Sequence, residues 1–249
     1  MNKNNMFFRM LNAVENLFMK NYSCICCYKE IPDETEFMLC EKCKEDIEFL
    51  NNNICKKCGD KLNDNRFCIN DCNKFHYSFD ENISICYYTK SAARIIKNLK
   101  YGRHKYLADY VASLILKRKN DFCDVDVILY VPSSKNRLQE RGFNQAKEIA
   151  KVVADALGKD CIDAIIKIKD TIHQAGGTQK DRMKNLAGSF AVDSKYEEYL
   201  KNKKVLIVDD VFTTGSTLNE CAKIVRKFKP KMIKTLTFAK TKFNLTQNN

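Results

Sequence analysis

An α/β fold with a mostly parallel sheet, preceded by a small cysteine-rich module, is predicted by three observations on this 249-residue sequence. The run "VDVILYV" (125–131) is apolar apart from Asp126, the pattern of a strand buried on both faces of a parallel sheet. From Ile83 onward such runs alternate with stripes at helical spacing, as strand–helix–strand units require. Nine of the 13 cysteines fall between Cys24 and Cys72, upstream of all this periodicity.

The elements follow in order. Residues 6–20 place Phe7, Leu11, Val14 and Phe18 on one helical face, an amphipathic helix with too few cations for a membrane surface and better suited to docking on the chain's own core. From Cys24 to about Phe79 there is little periodicity, and a segment of that kind needs staples to fold. "ISICYY" (83–88), "VDVILYV" (125–131), "AIIKI" (164–168), "SFAV" (189–192), "KVLIV" (204–208) and "MIKTLTFA" (232–239) read as strands. Helices are expected over 93–100, 107–115, 146–157 and 216–228. The cysteine drop, a charge change and the onset of periodicity divide the chain into an N-terminal helix (1–22), a cysteine module (23–80) and an α/β domain (81–249).

No run reaches the roughly 18–20 apolar residues of a membrane helix, and the N-terminal stretch lacks a cleavage site, so a cytoplasmic protein without a transmembrane segment is expected. Residues 1–80 carry 11 Lys/Arg against 13 Asp/Glu, whereas residues 81–249 carry 32 against 18. That excess either reflects an anionic partner such as phosphate or nucleic acid, or a lysine-rich composition alone.

The cysteine spacings are Cys24-x2-Cys27, Cys40-x2-Cys43, Cys55-x2-Cys58 and Cys68-x3-Cys72. Eight thiolates in four close pairs suit two structural zinc sites, each of four cysteines, with Zn–S near ~2.3 Å and no open position for catalysis. Sequential pairing makes a tandem zinc ribbon; a cross-braced pairing has the same spacings. Cys26 adjoins Cys27 and is the spare.

"KVLIVDDVFTTGSTL" (204–218) ends a buried strand in two carboxylates, Asp209 and Asp210, followed by a turn with no side chain larger than threonine. Strand C-terminal ends are where open α/β sheets bind ligands. The turn "TTGST" offers backbone N–H groups, hydroxyls from Thr213, Thr214, Ser216 and Thr217, close approach at Gly215, and the positive end of the helix after it. Carboxylates take sugar hydroxyls and the cradle takes a phosphate, so the ligand is a phosphorylated ribose. An ordinary helix cap explains two or three of these residues, not their whole order.

This stretch resembles the phosphoribosyl-pyrophosphate (PRPP) motif of type I phosphoribosyltransferases. With "VPSSKNRLQERGFNQAKEIA", "HQAGGTQKDRMKNLAGSF" and the knuckles ahead of "IIKNLKYG", the chain resembles the ComF family of competence-associated proteins over about residues 17–240. The resemblance implies a sheet of the type I phosphoribosyltransferase kind, with Asp209 and Asp210 as catalytic residues on the ribose hydroxyls and Thr213, Thr214, Gly215, Ser216 and Thr217 on the 5′-phosphate. It puts the pyrophosphate loop at Ser133, Ser134 and Lys135, where Arg137 and Arg141 add charge for the leaving group. Mg²⁺ would accompany PRPP, and "HQAGGTQKDRMKN" would be a mobile loop with Gln174, Arg182 and Asn185 at family positions and Gly176 and Gly177 as hinges. His173 there has no evident partner and reads as a polar loop residue. The function implied is PRPP-dependent phosphoribosyl transfer in natural competence and DNA uptake, with single-stranded DNA and other competence proteins as partners. The alternative is a non-catalytic PRPP-sensing or DNA-binding scaffold. No segment stands out as a reader of an acceptor base; Phe143 and Asn144 are the nearest, and Phe143 equally suits the core.

Overall fold

The computed structural model describes residues 22–32, 38–50, 53–68, 72, 76–102, 104–169 and 186–242. The expected helix over 6–20 and the loop residues His173, Gln174, Gly176, Gly177, Arg182 and Asn185 lie outside the described residues. A short helix α1 (Glu41–Glu45) belongs to the cysteine module. Then come β1 (Glu81–Tyr87), α2 (Lys90–Tyr101), α3 (Leu107–Leu116), β2 (Val127–Tyr130), α4 (Lys135–Arg141), α5 (Gln145–Leu157) and β3 (Asp160–Cys161). The chain continues through β4 (Ile165–Lys167), β5 (Phe190–Val192), α6 (Glu197–Leu200), β6 (Lys204–Phe212), α7 (Ser216–Arg226) and β7 (Met232–Lys240).

Five strands form one sheet in the order β1-β7-β6-β2-β3, every neighbouring pair parallel. All C-terminal strand ends therefore lie along one edge, and β2 and β6 sit side by side in the register Tyr130↔Val208. "AIIKI" and "SFAV" do form strands, but they leave this sheet and pair antiparallel as β4 and β5. Alternating side chains divide the interior into two cores. Ile128, Leu206, Val208 and Leu236 face α2, α3 and α5, while Val127, Val205, Ile207 and Ile233 face α7.

The cysteine module wraps the free edge of β1. Cys24, Cys26 and Cys43 join the first core, and Cys55, Cys58 and Cys72 join the second, so the two cysteine clusters grip opposite faces of one sheet. The stretch between them donates and accepts as an added antiparallel edge: Leu50 N to Ile85 O at 2.8 Å and Tyr87 N to Glu48 O at 2.9 Å. An exposed parallel edge would invite pairing with another chain, and this cover removes it. Among the described residues no helix is long and apolar enough to cross a membrane.

Candidate functional site

The ladder between β6 and β7 continues past the apolar run, through Asp209↔Thr237 to Phe212↔Lys240, so both acids belong to the strand. Strand alternation then sends them to opposite faces: Asp210 follows Leu206 and Val208 toward α2, and Asp209 follows Val205 and Ile207 toward α7. Val131 N donates to Val208 O at 3.0 Å, which brings the segment after β2 against the acids. A cleft of about 190 Å³ opens there.

Of the sequence-predicted residues, Asp209, Asp210, Thr213, Thr217, Ser133, Arg137, Arg141 and Asn144 line this cleft. The segment expected to carry the pyrophosphate loop runs from Lys135 into the helix α4, capped by Ser134, whose hydroxyl accepts from Arg137 N at 3.4 Å. Helical spacing puts Arg137 and Arg141 on one face and turns the exposed Lys135 away from the cleft. Thr214 and Ser216 sit behind the loop with their hydroxyls 2.7 Å apart. Asn144 is committed to structure: it accepts from Ala146 N and Lys147 N as the cap of α5 and donates to Val131 O at 2.9 Å. Phe143 packs against the first core.

Sequence reasoning missed Lys100, Gln145, Lys167 and Phe190, which also line the cleft. Lys100 is the most consequential. Its ammonium lies 2.8 Å from Asp210, both side chains largely buried. Burial alone would push this lysine down, but the Asp210 carboxylate outweighs it and holds the ammonium charged. The available signal was a lysine directly after the buried Leu99, within the helix expected over 93–100.

The two acids are not equivalent. Among the described residues Asp209 has no ion-pair partner; its Oδ1 accepts from Asp210 N at 2.8 Å. Part of its surface opens to the cleft, yet protein surrounds the rest, and burial followed by repulsion from Asp210 raises its carboxyl to about 7. Arg141 donates from Nη1 to Gln145 Oε1 and from Nη2 to Tyr101 Oη, both at 3.1 Å, and stacks on the Tyr101 ring. Its buried Nε has no partner among the described residues. An orphaned buried donor is costly, and an anion in the cleft would relieve it. With Lys100, Arg137, Arg141 and Lys167 against two carboxylates, the lining of the cleft carries an excess of cationic side chains.

Gly215, the residue before α7, has φ +74°, and a Cβ there would lie 2.5 Å from the Phe212 ring. Gly215→Ala is therefore expected to distort the 213–217 turn. A thermal melt should show a loss of about 1–3 kcal/mol, together with weakened binding of phosphate-bearing ligands.

The described thiols gather as Cys24, Cys27, Cys40, Cys43 and as Cys55, Cys58, Cys68, Cys72, each group within 4.8 Å. This is the sequential pairing. The Cys27–Cys40, Cys55–Cys72 and Cys58–Cys68 sulfur distances of 3.7, 3.3 and 3.4 Å approach the ~3.8 Å edge of a tetrahedron with Zn–S near 2.3 Å. Antiparallel bridges Ser23↔Glu30 and Ile54↔Lys61 bracket the two leading knuckles alike. Gly59 has φ +72°, the open backbone expected after Cys58. Hydrogen bonding from the Cys58 thiol lowers the Cys55 thiol from its ordinary value. Cys26 instead lies 3.8 Å from Ser91 O, and burial pushes its thiol up to about 12. The donor set fits zinc, and Cys26 is outside it. Accordingly Cys26→Ala should retain two zinc ions per chain and Cys27→Ala about half of that, measured by metal analysis of purified protein.

A family model described as a double zinc ribbon domain matches residues 15–73, and one described as a phosphoribosyl transferase domain matches residues 138–244. Competence protein F of Haemophilus influenzae is 29% identical over 228 residues, spanning 88% of this chain and 91% of that protein. Competence protein ComFC of Bacillus subtilis is 23% identical over 84% of this chain and 86% of its own length. DNA utilization protein YhgH of Salmonella typhimurium is 30% identical over 57% of this chain and 64% of that protein. With two cysteine clusters clamped on a parallel sheet whose acid pair is followed by a turn of small residues, the chain combines a double zinc ribbon match with a phosphoribosyl transferase domain match and is similar over most of its length to competence proteins of the ComF kind.

Proposed function

We propose that this chain binds PRPP in the β2–β6 cleft and acts as a phosphoribosyltransferase-type protein in the handling of DNA during competence. The observation that carries this reading is the meeting, in one cleft, of the acid pair, the 213–217 turn and the two arginines of α4. Asp209 and Asp210 accept from the ribose 2′- and 3′-hydroxyls. The N–H groups of residues 213–217 and the start of α7 take the 5′-phosphate. Ser133, Arg137 and Arg141 hold the pyrophosphate, and the orphaned Arg141 Nε gains an acceptor there. Lys100 pairs with Asp210 and holds it in place.

Mg²⁺ would accompany PRPP here, where Asp209 is the carboxylate without an ion-pair partner among the described residues, and would supply neutralisation of pyrophosphate charge. For transfer to an acceptor, the residues of this chain orient the donor and stabilise charge on the departing pyrophosphate. The role in competence rests on the relatives, one named a competence protein in H. influenzae and another a DNA utilization protein in S. typhimurium. The basic excess of residues 81–249 is compatible with single-stranded DNA as a partner.

Isothermal titration of the wild-type protein with PRPP, with and without Mg²⁺, tests the donor assignment. Saturable binding that strengthens with Mg²⁺ is expected; no heat in either condition rules the assignment out. Pyrophosphate release with single-stranded DNA or nucleobases as candidate acceptors then separates turnover from sensing.

A further inference from the structure

The segment 76–80, which follows the last cysteine of the second cluster, lies directly behind the phosphate turn. Tyr77 Oη donates to Thr214 O at 3.2 Å. Its ring stacks on the buried Phe79 with centroids 4.7 Å apart and meets Phe212 edge-on at 6.2 Å. It also closes over Gly215, where an added Cβ would come within 3.1 Å of the ring. The segment is tied to α7 at two further points. Ser78 N donates to Asn219 Oδ1 at 2.6 Å, and Arg226 Nη2 donates to both Ser78 O and Asp80 Oδ2 at 2.8 Å.

The geometry of a peptide gives this contact a consequence. Thr214 C=O and Gly215 N–H belong to one planar trans unit and point in opposite directions. A hydroxyl that holds the carbonyl on the outer side therefore fixes the direction of the Gly215 N–H on the other. Left free, that peptide could flip readily, because glycine tolerates both orientations.

We infer that Tyr77 is a positioning residue for the 5′-phosphate turn, supplied to the phosphoribosyltransferase domain by the segment that leaves the second cysteine cluster. The inference rests on the proposed role of residues 213–217 and adds a determinant outside the PRPP motif itself. Tyr77 touches no substrate; it acts through the Thr214–Gly215 peptide.

The test is Tyr77→Phe, which keeps the ring stack and removes the hydroxyl, titrated separately with ribose 5-phosphate and with pyrophosphate. Loss of one neutral hydrogen bond should weaken ribose 5-phosphate by about 3- to 10-fold, with pyrophosphate affinity within about twofold of wild type. Amide exchange at residues 214–217 should quicken in the same variant. A general packing defect would weaken both ligands alike, and that result, or unchanged ribose 5-phosphate binding, overturns the inference. Should wild type itself take up neither ligand, the cleft assignment fails and the inference falls with it. Wild-type binding that Tyr77→Phe leaves intact removes only the inference.

Discussion

Asp209→Asn/Asp210→Asn should lose at least about 100-fold in PRPP affinity, since each carboxylate forms charge-assisted hydrogen bonds of about 1.5–3 kcal/mol. The single variants should part company in stability. Asp209, raised to about 7 by burial and by Asp210, holds a proton in the folded state that the unfolded chain has released above about 3.8. Folding stability therefore falls as pH rises from about 4 to about 7, and the full penalty persists above that. Asp209→Asn removes the penalty, so at pH 8 this variant should melt higher than wild type, by up to about 4 kcal/mol and less to the extent that the cleft stays wet. The gain should vanish near pH 4. Asp210→Asn does the reverse, because it strips the partner from the buried Lys100 ammonium 2.8 Å away. Melting curves across pH and PRPP titrations of the two single variants check this; an Asp209→Asn protein that is less stable than wild type at pH 8 refutes the assignment of strain to that acid. A site that weakens its own fold to present a carboxylate is the familiar exchange of stability for function.

How far the sequence carried this site follows from what local pattern encodes. The parallel sheet was legible because "VDVILYV" and "KVLIV" are apolar on both faces, a property each strand shows by itself. The placement of the acid pair at a strand end ahead of a turn was legible because these residues are consecutive. Pairing partners were not. Ile165–Lys167 and Phe190–Val192 carry strand composition, but nothing local says that they form a separate antiparallel ribbon. Two-residue β3 is too short for any period to register. In α4, seven residues rich in charge read as a loop because the caps Ser134 and Gly142, not an apolar stripe, define that helix. Lys100 reached the site through tertiary packing alone, as its place in α2 resembles any solvated helical lysine. The cysteine spacing announced zinc, yet it held no hint that the two clusters take opposite faces of the sheet, because that depends on the free edge of β1.

One buried ion pair ties that clamp to the sheet. Lys240, the last residue of β7, places its ammonium 2.6 Å from Asp60, and both side chains are 2% exposed. Asp60 follows Cys58 and Gly59 in the second cluster, so the pair joins the cysteine module to the end of β7, beside the 213–217 turn. Burial alone would push the Asp60 carboxyl up; Lys240, then the hydroxyl of Tyr87 at 2.7 Å and the N–H of Lys61 at 2.9 Å, bring it below its ordinary value. A carboxyl lowered in the fold adds stability above about pH 4 that is lost as pH falls through the folded value. Lys240→Met leaves that carboxylate buried without its cation and is expected to cost about 3–5 kcal/mol at pH 7. In the variant the sign inverts: Asp60 becomes easier to protonate, so the damage should lessen as pH drops from 7 toward 5, while wild type does not gain. Asp60→Asn/Lys240→Met, with both charges removed, should recover a substantial part of the loss, giving a coupling energy of about 1–3 kcal/mol in a double-mutant cycle. Additive losses, or a Lys240→Met protein within about 1 kcal/mol of wild type, would mean that the module is only laid against the sheet. Strong coupling makes the zinc ribbons part of the phosphoribosyltransferase fold, since a cluster whose neighbour is anchored beneath β7 cannot shift without moving the strand ends that line the cleft.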